Sequence, residues 1–167
     1  MTTKMKSETF VYATFIRTTP EKLWDALTNA DFSEKYWMGF RVEVEQKVGG
    51  HIRILPGKGM EGRSDHGGDV LACEKYKKLT YTWMKSTQEK DAKRAGLSRV
   101  TYELTPMGDR VRLRLIHENL MDQDIVTDPN SFGGVNNGWP MVISSLKSLL
   151  ETGEAISFAL PKGEKGC

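Results

Sequence analysis

The sequence predicts a single α+β domain built from an antiparallel sheet of about seven strands and one long C-terminal helix. Two patterns carry this prediction. Apolar residues alternate with polar residues at a period of two through the middle of the chain, and the period becomes helical from about residue 135. The length of 167 residues also suits one domain. We expect this domain to span residues 9–153, flanked by flexible tails at 1–8 and 154–167.

The chain opens with a strand and two short helices. Residues 9–17 are rich in β-branched and aromatic types, which favour strands. Thr19 is placed to cap a first helix that begins at Pro20, because proline suits the first helical turn. Asn29 offers a second cap, and the second helix is expected to reach Trp37.

Six further strands are expected before the C-terminal helix. The alternation from Arg41 and the Gly49-Gly50 turn into residues 51–54 predict a hairpin. Further strand-like runs lie at 68–74, 79–85, 97–106 and 110–117. In the last run one face is apolar apart from a histidine, and the other is basic. The first face comprises Val111, Leu113, Leu115 and His117, and the second comprises Arg110, Arg112 and Arg114.

The last element is one long amphipathic helix. Its apolar stripe, at three-to-four-residue spacing, comprises Val135, Trp139, Val142, Leu146, Leu149 and Leu150. Gly153 supplies a left-handed cap at the C-terminal end. Pro140 is expected either in the first turn of this helix or at a kink, because proline lacks the N–H group that a helix interior requires.

The composition excludes several classes of function. The chain carries 24 Lys and Arg against 22 Asp and Glu, and the net charge of +2 gives no basis for a nucleic-acid partner. No segment approaches the roughly 18 apolar residues of a membrane-spanning helix, so membrane insertion is not expected. Only Cys73 and Cys167 are present, which does not suit a disulfide framework. We expect a cytoplasmic protein and predict no cofactor.

Four motifs in a fixed order carry a resemblance to a known superfamily. They are residues 20–28 followed by Tyr36-Trp37, residues 48–50, residues 115–120, and residues 138–140 continuing into 145–153. In this order they resemble the START/Bet v 1-like (SRPBCC) superfamily, and within it a stand-alone domain of the activator of Hsp90 ATPase homologue (AHSA1-like) branch. The resemblance implies the helix-grip fold, in which a curved sheet wraps around the long C-terminal helix and leaves a cavity between them.

Strand alternation, the helix stripe and the motif positions together nominate the residues that face this interior. A mixture of apolar bulk with a few polar groups is typical of a cavity for a small hydrophobic or amphipathic molecule, and binding of such a ligand is the function that we predict. The alternative is that these side chains only pack the core. The candidates are Trp37, Tyr81, Trp83, Tyr102, Leu113, Leu115, His117, Trp139, Val142 and Leu146.

His117 is the candidate for a polar role in that interior. Alternation places it on the apolar face near a strand end, where it is suited to orient a polar ligand head or to act as an acid or base. The alternative is a structural, hydrogen-bonding histidine. The sequence therefore leaves enzyme activity undecided and favours binding over catalysis.

Three local patterns do not support sites. His51, His66 and His117, taken with nearby acidic residues, lack the spacing of metal ligands, so no metal is predicted. Residues 57–62 match a dinucleotide-binding pattern but do not lead into a helix. Residues 64–66 contain the residue types of a hydrolase triad, but triads assemble from distant positions in the chain.

Two other functions stay open beside ligand binding. The resemblance implies regulation of the Hsp90 chaperone ATPase, although the chaperone-docking domain of a full activator precedes the part that resembles this chain. An enzyme that uses acid or base chemistry on a hydrophobic substrate is the second alternative. Superfamily members often self-associate, so a homodimer formed through apolar faces and Trp139 is a further expectation.

Overall fold

A computed structural model describes residues 8–60, 66–83 and 98–158. The predicted order of one strand, two short helices, six strands and a long helix is confirmed. The elements are β1 (Glu8–Ile16), α1 (Pro20–Thr28), α2 (Ala30–Tyr36), β2 (Phe40–Val44), β3 (His51–Pro56), β4 (His66–Glu74), β5 (Lys78–Trp83), β6 (Ser98–Met107), β7 (Arg110–Leu120), a 3₁₀ turn (Asp122–Asp124) and α3 (Val135–Thr152).

The seven strands lie in one antiparallel sheet with the order β1-β7-β6-β5-β4-β3-β2. This sheet is curved around α3, which confirms the helix-grip fold. The first and last strands of the chain are neighbours, since β1 pairs with β7 from Glu8 opposite Leu120 to Ile16 opposite Val111. Consequently β1 and β2 form the two edges of the sheet.

The two short helices begin at the predicted caps. The side chains of Thr19 and Asn29 accept hydrogen bonds from backbone N–H groups in the first turns of α1 and α2, at 3.2 and 2.9 Å. The hydroxyl of Tyr36, at the end of α2, donates to the buried carbonyl oxygen of Ala26 in α1 at 2.7 Å. This bond holds the two helices against each other.

Helix α2 covers the outer edge of β2. The Ser33 hydroxyl accepts a hydrogen bond from the backbone N–H of Val42 at 2.7 Å. The guanidinium of Arg41 binds the carboxylates of Asp31 and Glu34 at 2.8 and 2.5 Å. An unpaired edge strand readily pairs with another chain, and these contacts block part of that edge.

Helix α3 contains Pro140 beyond its first turn, which excludes one of the two positions expected for this residue and leaves the kink as a prediction. The helix begins at Val135, because the N–H groups of Asn137 and Gly138 donate to the carbonyl oxygen of Gly134 at 3.3 and 2.9 Å. Pro140 therefore lies inside the helix, in its second turn rather than its first. At the other end Gly153 adopts the predicted left-handed conformation, with φ 84°.

The core lies between the concave face of the sheet and the three helices. The two predicted faces of β7 are confirmed by burial. The concave face is at most 1% exposed at Val111, Leu113, Leu115 and His117. On the convex face Arg114 bonds Glu103 of β6 at 3.2 Å, which is the kind of cross-strand pair that stabilises a solvated sheet face.

The first residues after α3 fold back onto it. The hydroxyls of Ser145 and Ser148 donate to the carbonyl oxygens of Ile156 and Glu154 at 3.0 and 2.7 Å. Ala155 packs against the core. Residues 154–156 therefore contact the domain, and the division into a domain at 9–153 with flexible tails stays a prediction. The rest of the two predicted tails, 1–7 and 159–167, lies outside the described residues.

Candidate functional site

Three tryptophans from three elements meet where α3 faces the sheet, and we call them the indole cluster. Trp37 follows α2, Trp83 ends β5, and Trp139 lies on α3. The ring centroid of Trp139 lies 5.4 Å from those of both Trp37 and Trp83, edge-on to each. The planes of Trp37 and Trp83 are only 13° apart, with centroids 6.4 Å apart. Trp37 and Trp139 are buried, whereas Trp83 is half-buried.

His117 lies beside the indole cluster in a chain of hydrogen bonds that we call the histidine cluster. The indole N–H of Trp139 donates to Nδ1 of His117 at 3.0 Å. Nε2 of the same imidazole bonds the hydroxyl of Ser98 at 3.1 Å. That hydroxyl donates in turn to the carbonyl oxygen of Trp83 at 3.4 Å. His117 is fully buried, and Ser98 is nearly so.

These bonds fix the protonation of the imidazole. An indole N–H only donates, so Nδ1 of His117 must be an acceptor and the proton resides on Nε2. The Ser98 hydroxyl accepts a hydrogen bond from this N–H group and donates a hydrogen bond to the carbonyl oxygen of Trp83. A second proton on the ring would break the bond from Trp139. The arrangement suits the structural alternative for His117 better than the acid or base role.

Three buried tyrosines lie next to the indole cluster, and we call them the tyrosine cluster. The hydroxyls of Tyr81 and Tyr102 are 2.9 Å apart, while that of Tyr36 donates to the Ala26 carbonyl. All three are at most 2% exposed. Burial raises the pKa of each phenol well above its ordinary value of 10.0, and the neighbouring phenols raise it further in Tyr36 and Tyr102. The three side chains are therefore neutral O–H groups at physiological pH.

The Tyr81–Tyr102 pair carries one more donor than it uses. Each hydroxyl has one proton, and only one of the two protons lies in the bond between them. Within the described residues the other proton has no acceptor. The rings adjoin the indole cluster, since the Tyr102 centroid lies 6.3 Å from that of Trp139 and the Tyr81 centroid 6.3 Å from that of Trp83.

The aliphatic candidates complete the same interior. The structure brings all ten predicted residues into one region, because Leu113, Leu115, Val142 and Leu146 are at most 4% exposed and belong to the core that holds the aromatic rings. Their contact with a ligand stays a prediction.

The interior described here contains little charge. Its buried polar side chains include no lysine or arginine within the described ranges. The single buried carboxylate in that set, Asp124, accepts a hydrogen bond from the backbone N–H of Met121 at 2.8 Å in the 3₁₀ turn. An anionic ligand would therefore find no oppositely charged lysine or arginine side chain in this part of the interior.

A surface cleft of about 380 Å³, which the sequence analysis missed, lies where the end of β1 meets the last turns of α3. Lys147 Nζ donates to the Phe15 carbonyl at 2.6 Å and to Glu151 at 2.7 Å, and Glu151 also accepts from the Arg17 N–H at 2.9 Å. We call these contacts the clasp. The hydrogen bond from Lys147 is the main cause that lowers the pKa of Glu151. The walls of the cleft are Phe15, Arg17, Arg110, Lys147 and Glu151.

The other patterns considered in the sequence form no metal or catalytic site among the described residues. His51 bonds Asp69 at 2.9 Å on the surface. No three His, Cys, Asp or Glu side chains of the described segments lie close enough together to hold a metal ion. Residues 61–65, which include the last two residues of the dinucleotide-like pattern and the first two of the triad-like pattern, lie outside the described residues.

Residues 17–151 match the family model described as Activator of Hsp90 ATPase homolog 1-like protein. The chain belongs to this family. The family match confirms the AHSA1-like resemblance of the sequence motifs. No curated protein sequence matches the chain, and the described residues contain no helix that is long and apolar enough to cross a membrane.

Solved structures of similar proteins agree with the AHSA1-like assignment. A Mesorhizobium loti protein is 29% identical, with a TM-score of 0.65 over 86% of this chain and 96% of that one. An HSP90 activator from Plasmodium falciparum is 25% identical, with a TM-score of 0.62 over 85% and 95%. The Aha1 dimer from Colwellia psychrerythraea is 20% identical, with a TM-score of 0.65 over 89% and 99%, and shows the shared fold alone. A homodimer of the present AHSA1-like domain stays a prediction.

Proposed function

We propose that this AHSA1-like domain binds a small hydrophobic or amphipathic molecule between the concave face of the sheet and α3. The observation that carries the proposal is the indole cluster. Its three large rings come from three elements, and two of them, Trp37 and Trp83, sit at the ends of their elements. Trp83 is half-buried, so the cluster runs from the surface into the interior.

The backbone beside Trp37 supports movement of that ring. Met38 adopts φ 49° and Gly39 adopts φ 88°, so two consecutive residues are left-handed directly after Trp37. A left-handed conformation is strained for methionine, and such strain concentrates at ligand clamps and switch regions. Met38 is also 47% exposed, which leaves it room to change conformation. Rotation of Trp37 and Trp83 would open a path to the tyrosine cluster.

The test is a thermal-shift screen of fatty acids, aromatic compounds, polyketides and hydrophobic drugs, combined with native mass spectrometry. We expect at least one class to raise Tm saturably. Val142→Trp fills the interior beside α3 and should abolish the shift, whereas Val48→Trp, at a position 67% exposed, should leave it unchanged.

If Val142→Trp does not fold, Trp83→Phe serves as the second variant, because it replaces a half-buried indole by a smaller aromatic ring. A saturable ligand should bind this variant with altered affinity. The absence of any retained mass and of any saturable shift across the four compound classes would contradict the proposal.

Regulation of a chaperone ATPase is the second candidate. It is favoured by the family match and by the 25% identity to an HSP90 activator over 95% of that chain. Adding the purified domain to Hsp90 should then raise the ATPase rate in a saturable manner. An unchanged rate, with no complex detected by sedimentation, would remove this candidate without affecting the ligand proposal.

A further inference from the structure

We infer that the ligand is a neutral, flat aromatic molecule with one hydrogen-bond acceptor, and that the Tyr81–Tyr102 hydroxyl pair recognises this acceptor. The inference rests on the proposed function, since it names the ligand class for the same interior. It follows from three features of the described residues: the aromatic character of the walls, the absence of lysine and arginine among the buried side chains, and one unused O–H donor.

The aromatic walls favour a flat ring over a saturated chain. Each of the rings of Trp37, Tyr81, Trp83, Tyr102 and Trp139 has its centroid 5.4 to 6.4 Å from that of at least one other member of this set. Aromatic rings gain energy from stacked or edge-on contact with one another beyond the area that they bury. An acyl chain would bury area against the same walls without this added term.

The charges favour a neutral ligand. The described interior has no buried lysine or arginine to pair with a carboxylate. A carboxylate transferred there without a partner would lose its hydration uncompensated. A cationic ligand would gain no counter-charge from the phenols, because burial holds them in the neutral O–H form. Fatty acids are therefore poor candidates, whereas ketones, quinones and similar neutral carbonyl compounds fit.

The tyrosine pair is the group that donates a hydrogen bond to the ligand, because the other buried polar groups of the concave side are already hydrogen-bonded. In the histidine cluster the donors of Trp139, His117 and Ser98 all have acceptors. The pair Tyr81–Tyr102 keeps one O–H without an acceptor among the described residues. A buried donor left unused is costly, so an acceptor from the ligand gains more here than at a saturated group.

Three probes separate these features. Acetylnaphthalene carries a flat ring and a carbonyl oxygen. Isopropenylnaphthalene has the same shape with a CH₂ group in place of that oxygen. Dodecanone carries the same carbonyl on a saturated chain. Their affinities are measured by quenching of tryptophan fluorescence and by calorimetry, in the wild type and in the double variant Tyr81→Phe/Tyr102→Phe, which removes both hydroxyls and keeps both rings.

We expect the wild type to bind acetylnaphthalene about 3- to 10-fold more tightly than isopropenylnaphthalene, as one net hydrogen bond allows. We also expect it to bind acetylnaphthalene more tightly than dodecanone. The double variant should bind the two naphthalenes with equal affinity. Should the double variant not fold, the comparison of the two naphthalenes in the wild type still decides whether the acceptor matters.

Equal affinities of the wild type for the two naphthalenes would overturn the role of the hydroxyl pair. Tighter binding of dodecanone than of acetylnaphthalene would overturn the aromatic class. Either result leaves the proposed function standing, since a probe has bound. Failure of all three probes to bind would overturn the inference, while the broader thermal-shift screen decides the proposed function separately.

Discussion

The histidine cluster and the tyrosine cluster lie in the same interior and differ in one respect. In the histidine cluster three donors meet three acceptors, ending at the carbonyl of Trp83. In the Tyr81–Tyr102 pair two donors share one bond. Buried polar groups that are fully bonded stabilise and orient the core, whereas an unused donor is available for recognition.

The difference originates in residue chemistry. An indole has only a donor, a neutral imidazole has one donor and one acceptor, and a hydroxyl can accept one hydrogen bond while it donates another to a backbone carbonyl. In a row of these three groups every donor can therefore have an acceptor. Two phenols are identical, so a pair of them always has one proton in excess unless a third acceptor is near. The comparison predicts that the two clusters respond oppositely to mutation.

Removal of the imidazole should have the largest effect. His117→Ala deletes a fully buried ring and leaves the Trp139 N–H without its acceptor. Cavity formation and the unsatisfied donor together should lower the free energy of unfolding by about 3 kcal/mol or more, as measured by urea denaturation. His51→Ala is the matched control, because that side chain is 66% exposed and should change stability by less than about 0.5 kcal/mol. A loss below about 1 kcal/mol for His117→Ala would contradict a structural role.

High pH should lower the free energy of unfolding through the tyrosine cluster, because its phenols are the groups that lose protons there. Their folded-state pKa values are raised, so the unfolded chain releases these protons near pH 10.0 while the folded protein retains them. The stability is therefore fully present below pH 10 and falls as the pH rises above it. Three phenols give a slope of about 4 kcal/mol per pH unit. The measurement is the free energy of unfolding against pH, with tyrosinate absorbance recorded in parallel.

The double variant Tyr81→Phe/Tyr102→Phe is the control for that slope. It retains only Tyr36 of the tyrosine cluster, so the loss above pH 10 should fall to about 1 kcal/mol per pH unit. An identical alkaline slope in the wild type and the double variant would show that other groups cause the alkaline unfolding.

At neutral pH the same double variant should show the smallest effect. Removing both hydroxyls eliminates one hydrogen bond and the unused donor together, and it keeps both rings. We expect a change of less than about 1 kcal/mol in either direction, by urea denaturation. A loss as large as that of His117→Ala would mean that the tyrosine pair is structural too, and the contrast between the clusters would disappear.

The sequence predicted the elements of the fold because each carries a local signal. Alternation identified the faces of β7, and Thr19 and Asn29 identified the starts of α1 and α2. The α3 stripe identified the residues that enter the core. The first-turn alternative for Pro140 was wrong, because the hydrogen bonds to the Gly134 carbonyl begin the helix at Val135. Those bonds depend on the loop conformation, which periodicity does not report.

The contacts of the candidate site could be predicted only in part. Alternation and the motifs placed Tyr81, Tyr102, His117 and Trp139 in one interior, but the pairing of their polar atoms depends on strand register and side-chain rotamers. The clasp was missed for a different reason. It joins the side chains of Lys147 and Glu151 to backbone groups of Phe15 and Arg17 near the other end of the chain, and Arg17 and Glu151 are 134 residues apart. Contacts of this kind have no periodic signal.

The pairing of the first strand with the last one sets the order of events during synthesis. β1 leaves the ribosome long before β7, and it cannot complete its ladder until residue 120 has emerged. At about 5 to 20 residues per second, β1 remains without its partner for roughly 5 to 20 seconds. Its apolar side chains, which include Phe10 and Tyr12, are exposed to other chains throughout this interval. The clasp needs a still longer chain, since Lys147 and Glu151 follow β7 and its contacts with Phe15 and Arg17 cannot form before these two residues have emerged.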